Sequence, residues 1–337
     1  MPLQGTIGYG DLAAAAGIPE ARLRSVVRMA MTGGLFREHT DSDGSQHVGH
    51  SATSALLASN EDVYAYATYM CTRSAPMAMQ MAAAAQRWGP GTTRTYETAY
   101  NVAFDTDLPF FDHLSRDESK MQEFAAYMKN VRSSDGVHLK HLLSGFSWQE
   151  IPDAGVVVDV GGSTGSSAIA LAKAFPHLSF VVQDLPANAE SGRKAAAETL
   201  PDKISSRITF QGRDFFAGPQ PVLGADVYLV RMILHDWPDD KAAEILRNIV
   251  PAMEGEKGKR SRLLIMDTVL PKPGSVPVSV ERIVRARDLT MMQAFNSNER
   301  DLEDWKKLLA YADARLRLAG VVQPFGSAMS ILEVVIS

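Results

Sequence analysis

Residues Val156-Val157-Val158-Asp159-Val160 run directly into Gly161-Gly162-Ser163-Thr164-Gly165. A near-continuous apolar run suits a strand buried on both faces, which requires helices covering both sides of a sheet. Small residues straight after it let the backbone turn sharply and approach a ligand closely. Residues 166–175 read as the helix that follows, and 178–184 as a second strand. Asp184 ends that strand, 25 residues after Asp159. An acid in that place can accept both hydroxyls of a ribose. Residues 208–210, 226–230 and 263–267 read as further strands, with helical segments between several of them, notably 239–250. Strand and helix in alternation predict an α/β domain with a doubly wound, mostly parallel sheet over 148–337. Residues 330–336 are expected as its last, edge strand.

The loop narrows the ligand. No Gly-Lys-Ser/Thr follows it, so it is not a P-loop, and it lacks the regular G-x-G-x-x-G of a nicotinamide site. The acid just before it would repel a pyrophosphate and suits a cationic ligand better.

Ahead of this domain the pattern differs. Residues 1–58 read as helix, turn, helix and hairpin. Gly17-Ile18-Pro19-Glu20 forms the turn, Gly33-Gly34 stops the second helix, and Asp41-Ser42-Asp43-Gly44 tips the hairpin. That is the outline of a winged helix, which raises the question of DNA. Arg22, Arg24, Arg28 and Arg37 face Asp11, Glu20, Glu38, Asp41 and Asp43, four positive charges against five negative. DNA binding needs a basic face that displaces counterions, so the unit is expected to be a dimerisation module. Residues 59–147 read as a mostly helical, methionine-rich linker that also builds part of a substrate pocket.

Composition narrows the possible partners. Net charge is −5, a poor match for nucleic acid or an anionic membrane. Cys71 is the only cysteine, which rules out an internal disulfide and fits a reducing compartment. No apolar run reaches the roughly 18 residues of a membrane span, and residues 1–11 carry no apolar signal region. A cytoplasmic protein is expected.

Leu234-His235-Asp236-Trp237 follows the fourth strand. This puts His235 at the carboxyl edge of a parallel sheet, where such sheets bind ligands. Its ordinary pKa of about 6.5 suits a general base at neutral pH.

The stretches VVVDVGGSTGSSAIALAKAFPHLSFVVQDLP, GRDFF, VRMILHDWPDD, LLIMDTVLP and NSNERDLEDW stand in one order and spacing. In these the chain resembles the caffeic-acid type of S-adenosylmethionine-dependent small-molecule O-methyltransferases, in its fungal branch. The resemblance covers almost the whole chain. It implies the Rossmann-like class I methyltransferase fold with an N-terminal helical winged-helix dimerisation domain, a homodimer, and S-adenosyl-L-methionine as cofactor with S-adenosyl-L-homocysteine as product. It implies that Asp159, Gly161 and Gly162 border the methionine part and that Asp184 and Leu185 hold the ribose. Asp214, Phe215, Arg231 and Trp237 lie around the adenine and the rest of the cofactor. It makes His235 the base, flanked by Asp267 and Glu299, while Asp236 is expected to point elsewhere. Phe124, Met128, Met291, Met292 and Asn296 are expected to line the substrate, and Arg287 to offer a cation to a substrate carbonyl or carboxylate. Ser163 stands where a glycine is common. No metal ligands cluster, so no metal is expected. The expected reaction is methylation of a phenolic or enolic hydroxyl of a small secondary metabolite. The alternative is a relative that keeps the cofactor but catalyses a dehydration or a pericyclic cyclisation.

Overall fold

The apolar strands of the C-terminal half assemble because each is flanked by helices with one buried face. In the computed structural model, which describes residues 1–254 and 261–337, the chain forms two units. One comprises Met1–Arg73 with Glu118–Val131, the other Ser74–Asp117 with Arg132–Ser337.

In the first unit, strands β1 (Thr6–Gly8), β2 (Arg37–Thr40) and β3 (Gln46–Gly49) form an antiparallel sheet in the order β1-β3-β2. The helices Tyr9–Ala16 and Glu20–Thr32 join them, separated by Gly17 at φ 67°. Tyr9, Ala13, Leu23, Val27 and Val48 make the core. Helix, turn, helix and hairpin were legible in the sequence; β1 was not. Arg24 pairs with Glu20 at 2.7 Å and Arg28 with Glu38 at 3.0 Å, so two of the second helix's three arginines have acidic partners.

The second unit contains β4 (Val156–Val160), β5 (Ser179–Asp184), β6 (Ile208–Gly212), β7 (Val227–Arg231), β8 (Arg262–Asp267), β9 (Val269–Leu270), β10 (Arg300–Asp301), β11 (Leu316–Val322) and β12 (Ser330–Ile336). Seven of them form one sheet, ordered β11-β12-β8-β7-β4-β5-β6. From β6 to β8 neighbours are parallel; β12 and β11 are antiparallel additions. The chain runs outward from β4 through β5 to β6, then returns to lay β7 on the other side of β4. The carboxyl ends of β4 and β7 therefore flank the point where strand order reverses, which is where such sheets hold ligands. Val157, Val158, Val227, Tyr228, Leu229 and Val230 are fully buried, as their uninterrupted apolar run predicts.

The edge differs from expectation. β12 is an inner strand, and the edge is β11, residues 316–322. Its Arg317, its Gly320 and a register shift between Leu318 and Gly320 break the alternation that would have marked it as a strand.

Candidate active site

Turn geometry after β4 begins the site. Gly161 has φ 73°, and a Cβ there would stand 2.6 Å from Ile233 Cδ1. A Cβ on Gly162 would meet the Asp159 carboxylate, again at 2.6 Å. Only glycine fits either position. Ser163 takes φ 53°, the left-handed region that glycine adopts freely and an L-residue at a cost. Its N–H donates to Asp184 Oδ2 at 2.7 Å, which ties the loop to the end of β5. Asp184 Oδ1 accepts from the Leu185 N–H at 2.8 Å and from Asn188 Nδ2 at 2.7 Å. Oδ2 keeps an acceptor position for a ligand, since a carboxylate offers about four and three are in use.

Beneath the loop lie the buried Asp159 and the partly buried Arg231. Burial pushes the Asp159 carboxyl up to about 7, against the opposing pull of Arg231. Burial lowers Arg231 to about 10, while Asp159 resists that shift. Arg231 Nη2 donates to the Val137 carbonyl at 2.5 Å, but its Nε and the Asp159 Oδ2 are buried without a hydrogen-bond partner. A buried polar atom without a partner costs about 1–3 kcal/mol. One unpaired donor and one unpaired acceptor fit a zwitterionic amino-acid group, and the glycine cradle leaves room for it. The residues present thus suit the methionine end of S-adenosylmethionine.

Beyond β6, Asp214 Oδ1 accepts the Phe216 N–H at 2.9 Å. The rings of Phe215, Phe216 and Trp237 form an aromatic corner, with Trp237 at 5.9 Å from Phe215 and 4.7 Å from Phe216. The Phe215 ring also lies against Gly161. The two halves of the predicted cofactor set, around the loop and around the aromatic corner, therefore meet.

After β7 the chain is strained. Met232 has φ 55°, an arrangement that costs roughly 1–3 kcal/mol and is common at functional sites. It leads into the short turn Leu234–Asp236, which carries His235. The His235 side chain is only 12% exposed. Its Nδ1 lies 3.0 Å from Glu299 Oε1 and 4.0 Å from Asp267 Oδ1. Topology brings these acids together: Asp267 ends β8, and β10, directly after Glu299, pairs in parallel with β9, directly after Asp267–Thr268. Asp236 does not point away as expected. Its Oδ1 stands 3.6 Å from His235 Nε2.

Burial works against a charged His235, but the carboxylates of Glu299, Asp267 and Asp236 outweigh it and raise the ring to about 10. Burial raises Asp267 to about 7 and Asp236 to about 6, each opposed by His235. Both Asp267 oxygens and Glu299 Oε2 lack hydrogen-bond partners. The surrounding carboxylates thus favour the protonated form of His235. A group raised from 6.5 to about 10 stabilises the fold fully below pH 6.5 and loses that contribution as pH rises toward 10. The unliganded protein should accordingly lose thermal stability between about pH 6.5 and 10, and His235→Gln should flatten that slope. Melting curves across this range, with and without the substitution, check it; parallel slopes would contradict it.

The expected pocket residues fall in different places. Helix Val278–Phe295 packs against the His235 turn and carries Arg287 and Met291, both half-buried, and Met292, which is exposed. Arg287 makes no hydrogen bond or ion pair among the described residues. Asn296 caps this helix at φ 52° and donates Nδ2 to the carbonyls of Arg94 and Glu97 at 2.8 and 3.0 Å, so its amide N–H groups already serve the backbone. Phe124 and Met128 stand on the Glu118–Ser133 helix in the first unit, where Phe124 packs 6.1 Å from Tyr69. Sequence reasoning missed Asp288, whose Oδ1 accepts the Glu299 N–H at 3.0 Å, and Arg300, which surrounds the His235 turn. Their signal was their adjacency to Arg287 and Glu299. No group of residues able to hold a metal occurs among the described residues.

A glycine cradle at a sheet's switch point, an acid for a ribose and a histidine held by carboxylates define a class of cofactor-dependent transferase. Residues 80–314 match the family described as the O-methyltransferase domain, and the chain belongs to that family. It is a methyltransferase that uses S-adenosylmethionine. The O-methyltransferase pgmB of Aspergillus terreus is 64% identical over 337 residues, all of this chain and 92% of that protein. The structure of LepI in complex with SAM is 27% identical with a TM-score of 0.74, covering 98% of this chain and 80% of that one. The mitomycin 7-O-methyltransferase MmcR is 25% identical with a TM-score of 0.77, covering 99% and 89%.

Proposed function

We propose that the protein methylates a phenolic or enolic hydroxyl of a small, polyketide-like secondary metabolite, with His235 as general base. The observation that carries this reading is His235 itself. Its Nδ1 is fixed by Glu299 at 3.0 Å, so in the neutral ring Nε2 is left as the proton acceptor. When bound, the cofactor supplies an electrophilic methyl group on a cationic sulfonium.

The chain's own residues do the rest. Asp159 and Arg231 hold the amino-acid end, Asp184 the ribose, and the corner of Phe215 and Trp237 the adenine. His235 Nε2 then takes the hydroxyl proton while the oxygen attacks. Glu299 and Asp267 stabilise the imidazolium that results.

The test is turnover of a panel of phenols and enols with S-adenosylmethionine. One S-adenosylhomocysteine should form for each methyl ether. Conversion of a substrate without S-adenosylhomocysteine would point instead to a dehydration or pericyclic reaction.

The first unit we read as a winged-helix dimerisation module. Its Glu20–Thr32 helix exposes Val26 by 64% and Met29 by 73%, three residues apart on one face. A cavity of about 430 Å³ lined by Leu35, Phe36, His50, Leu57 and Tyr64 opens in the same unit. Exposed apolar surface of this kind commonly marks an interface. Light scattering should find a dimer at micromolar concentration, and Val26→Glu with Met29→Glu should shift it to monomer. A wild-type protein that is monomeric under those conditions would refute the module.

A further inference from the structure

Arg300 directly follows Glu299 and is among the largest fully buried side chains, with 1% of it exposed. Burying a guanidinium is expensive unless its donors are used. Here Nη1 donates to the Leu234 carbonyl at 2.9 Å and Nη2 to the Trp237 carbonyl at 2.9 Å. Nε and Nη2 both reach Asp239 Oδ1, at 2.9 and 2.7 Å. Leu234 and Trp237 bracket His235 in the chain. The guanidinium also lies 5.3 Å over the ring of buried Trp305, whose Nε1 donates to the Thr268 carbonyl beside Asp267.

We propose that Arg300 is a positioning residue for His235. Glu299 grips the imidazole through its own side chain, and Arg300 grips the peptide carbonyls on either side of that imidazole. One dipeptide thereby sets both the ring and the backbone that carries it. Asp288 anchors the dipeptide in turn, through the Glu299 N–H at 3.0 Å. A planar fork with five donors can bridge two carbonyls and a carboxylate in fixed geometry; an ammonium, a point charge on a flexible stem, cannot. Arg300 touches no reacting atom and acts only through the histidine.

This inference rests on His235 being the base, and the experiment separates the two. Arg300→Lys and Asp239→Asn are each made in the wild-type and His235→Gln backgrounds. Asp239 is 66% exposed, so Asp239→Asn removes the ion pair without disturbing the core. Single-turnover rates are measured at high pH, where an ionised acceptor keeps the His235→Gln background measurable, and cofactor affinity is read by calorimetry. A misplacement of this kind costs up to about 100-fold in rate. Arg300→Lys should lower the rate about 30-fold and Asp239→Asn about threefold in the wild-type background, with cofactor affinity unchanged. In the His235→Gln background each should cost less than about twofold, because residues that act as a unit are non-additive. Equal losses in both backgrounds, or none in wild type, would overturn the proposal. If Arg300→Lys does not fold, Asp239→Asn decides by the same comparison. Undiminished activity of His235→Gln alone would overturn the underlying assignment of the base, and the proposal with it.

Discussion

His235→Ala should lower kcat by about 100-fold or more and leave the affinity for S-adenosylmethionine nearly intact, since a positioned base contributes about 10²–10⁴-fold to rate. The ring faces three carboxylates, Glu299 at 3.0 Å, Asp236 at 3.6 Å and Asp267 at 4.0 Å, and is not part of the glycine cradle. Removing it takes away the proton acceptor. It also leaves Asp267 and Glu299, both buried, without their cation, so part of the cluster should take up protons instead. Raising the pH should restore part of the rate for a phenolic acceptor, because solvent then supplies the phenolate. Glu299→Gln should cost less than His235→Ala, since it removes the orientation of the ring and not the ring. Steady-state kinetics with a saturating cofactor check this, and an unchanged kcat would contradict it.

Asp184→Ala should act on the other side of the ledger, weakening cofactor binding about 100-fold with a much smaller effect on kcat at saturation. Two losses combine. A hydrogen bond from the ribose to the charged carboxylate contributes about 1.5–3 kcal/mol. The Ser163 N–H, now 2.7 Å from Asp184 Oδ2, would lose its acceptor. Ser163 is held at φ 53°, so the loop has conformational strain to release once that tie is gone. Asp184→Asn, which keeps one acceptor oxygen, should fall between. Calorimetric titration with S-adenosylhomocysteine checks the order; equal affinity in wild type and Asp184→Ala would exclude the ribose role.

What the sequence made legible were local patterns. The buried strand, the glycine turn and the acid ending the next strand lie within residues 156–184, and each follows from a near-neighbour constraint. That β4 to β8 form a parallel sheet follows from strand and helix alternation; their order within it does not. Contacts between distant segments were not legible. That Glu299 meets His235, 64 positions away, came from family resemblance and not from spacing. The roles of Arg300 and Asp288 escaped both, because they depend on β10 pairing with β9 and on a helix end packing beside it. Asp236 was misjudged for a related reason. Neighbours in an extended strand point to opposite faces, but His235 and Asp236 share a tight helical turn after the strained Met232, and the turn brings the carboxylate back toward Nε2. β11 was hidden by its bulge, which interrupts the alternation on which strand recognition depends.

The central claim is that His235 removes the proton of a hydroxyl as the methyl group is transferred to it. Single-turnover transfer of a deuterated methyl group tests this most directly, followed by mass spectrometry in wild type and His235→Gln over acceptors of graded acidity. The label should appear on the acceptor oxygen. The variant should be about 100-fold slower for weakly acidic hydroxyls and close to wild type for acceptors already ionised at the assay pH. The same loss for every acceptor, or consumption of the acceptor with the label left on the cofactor, would contradict the account.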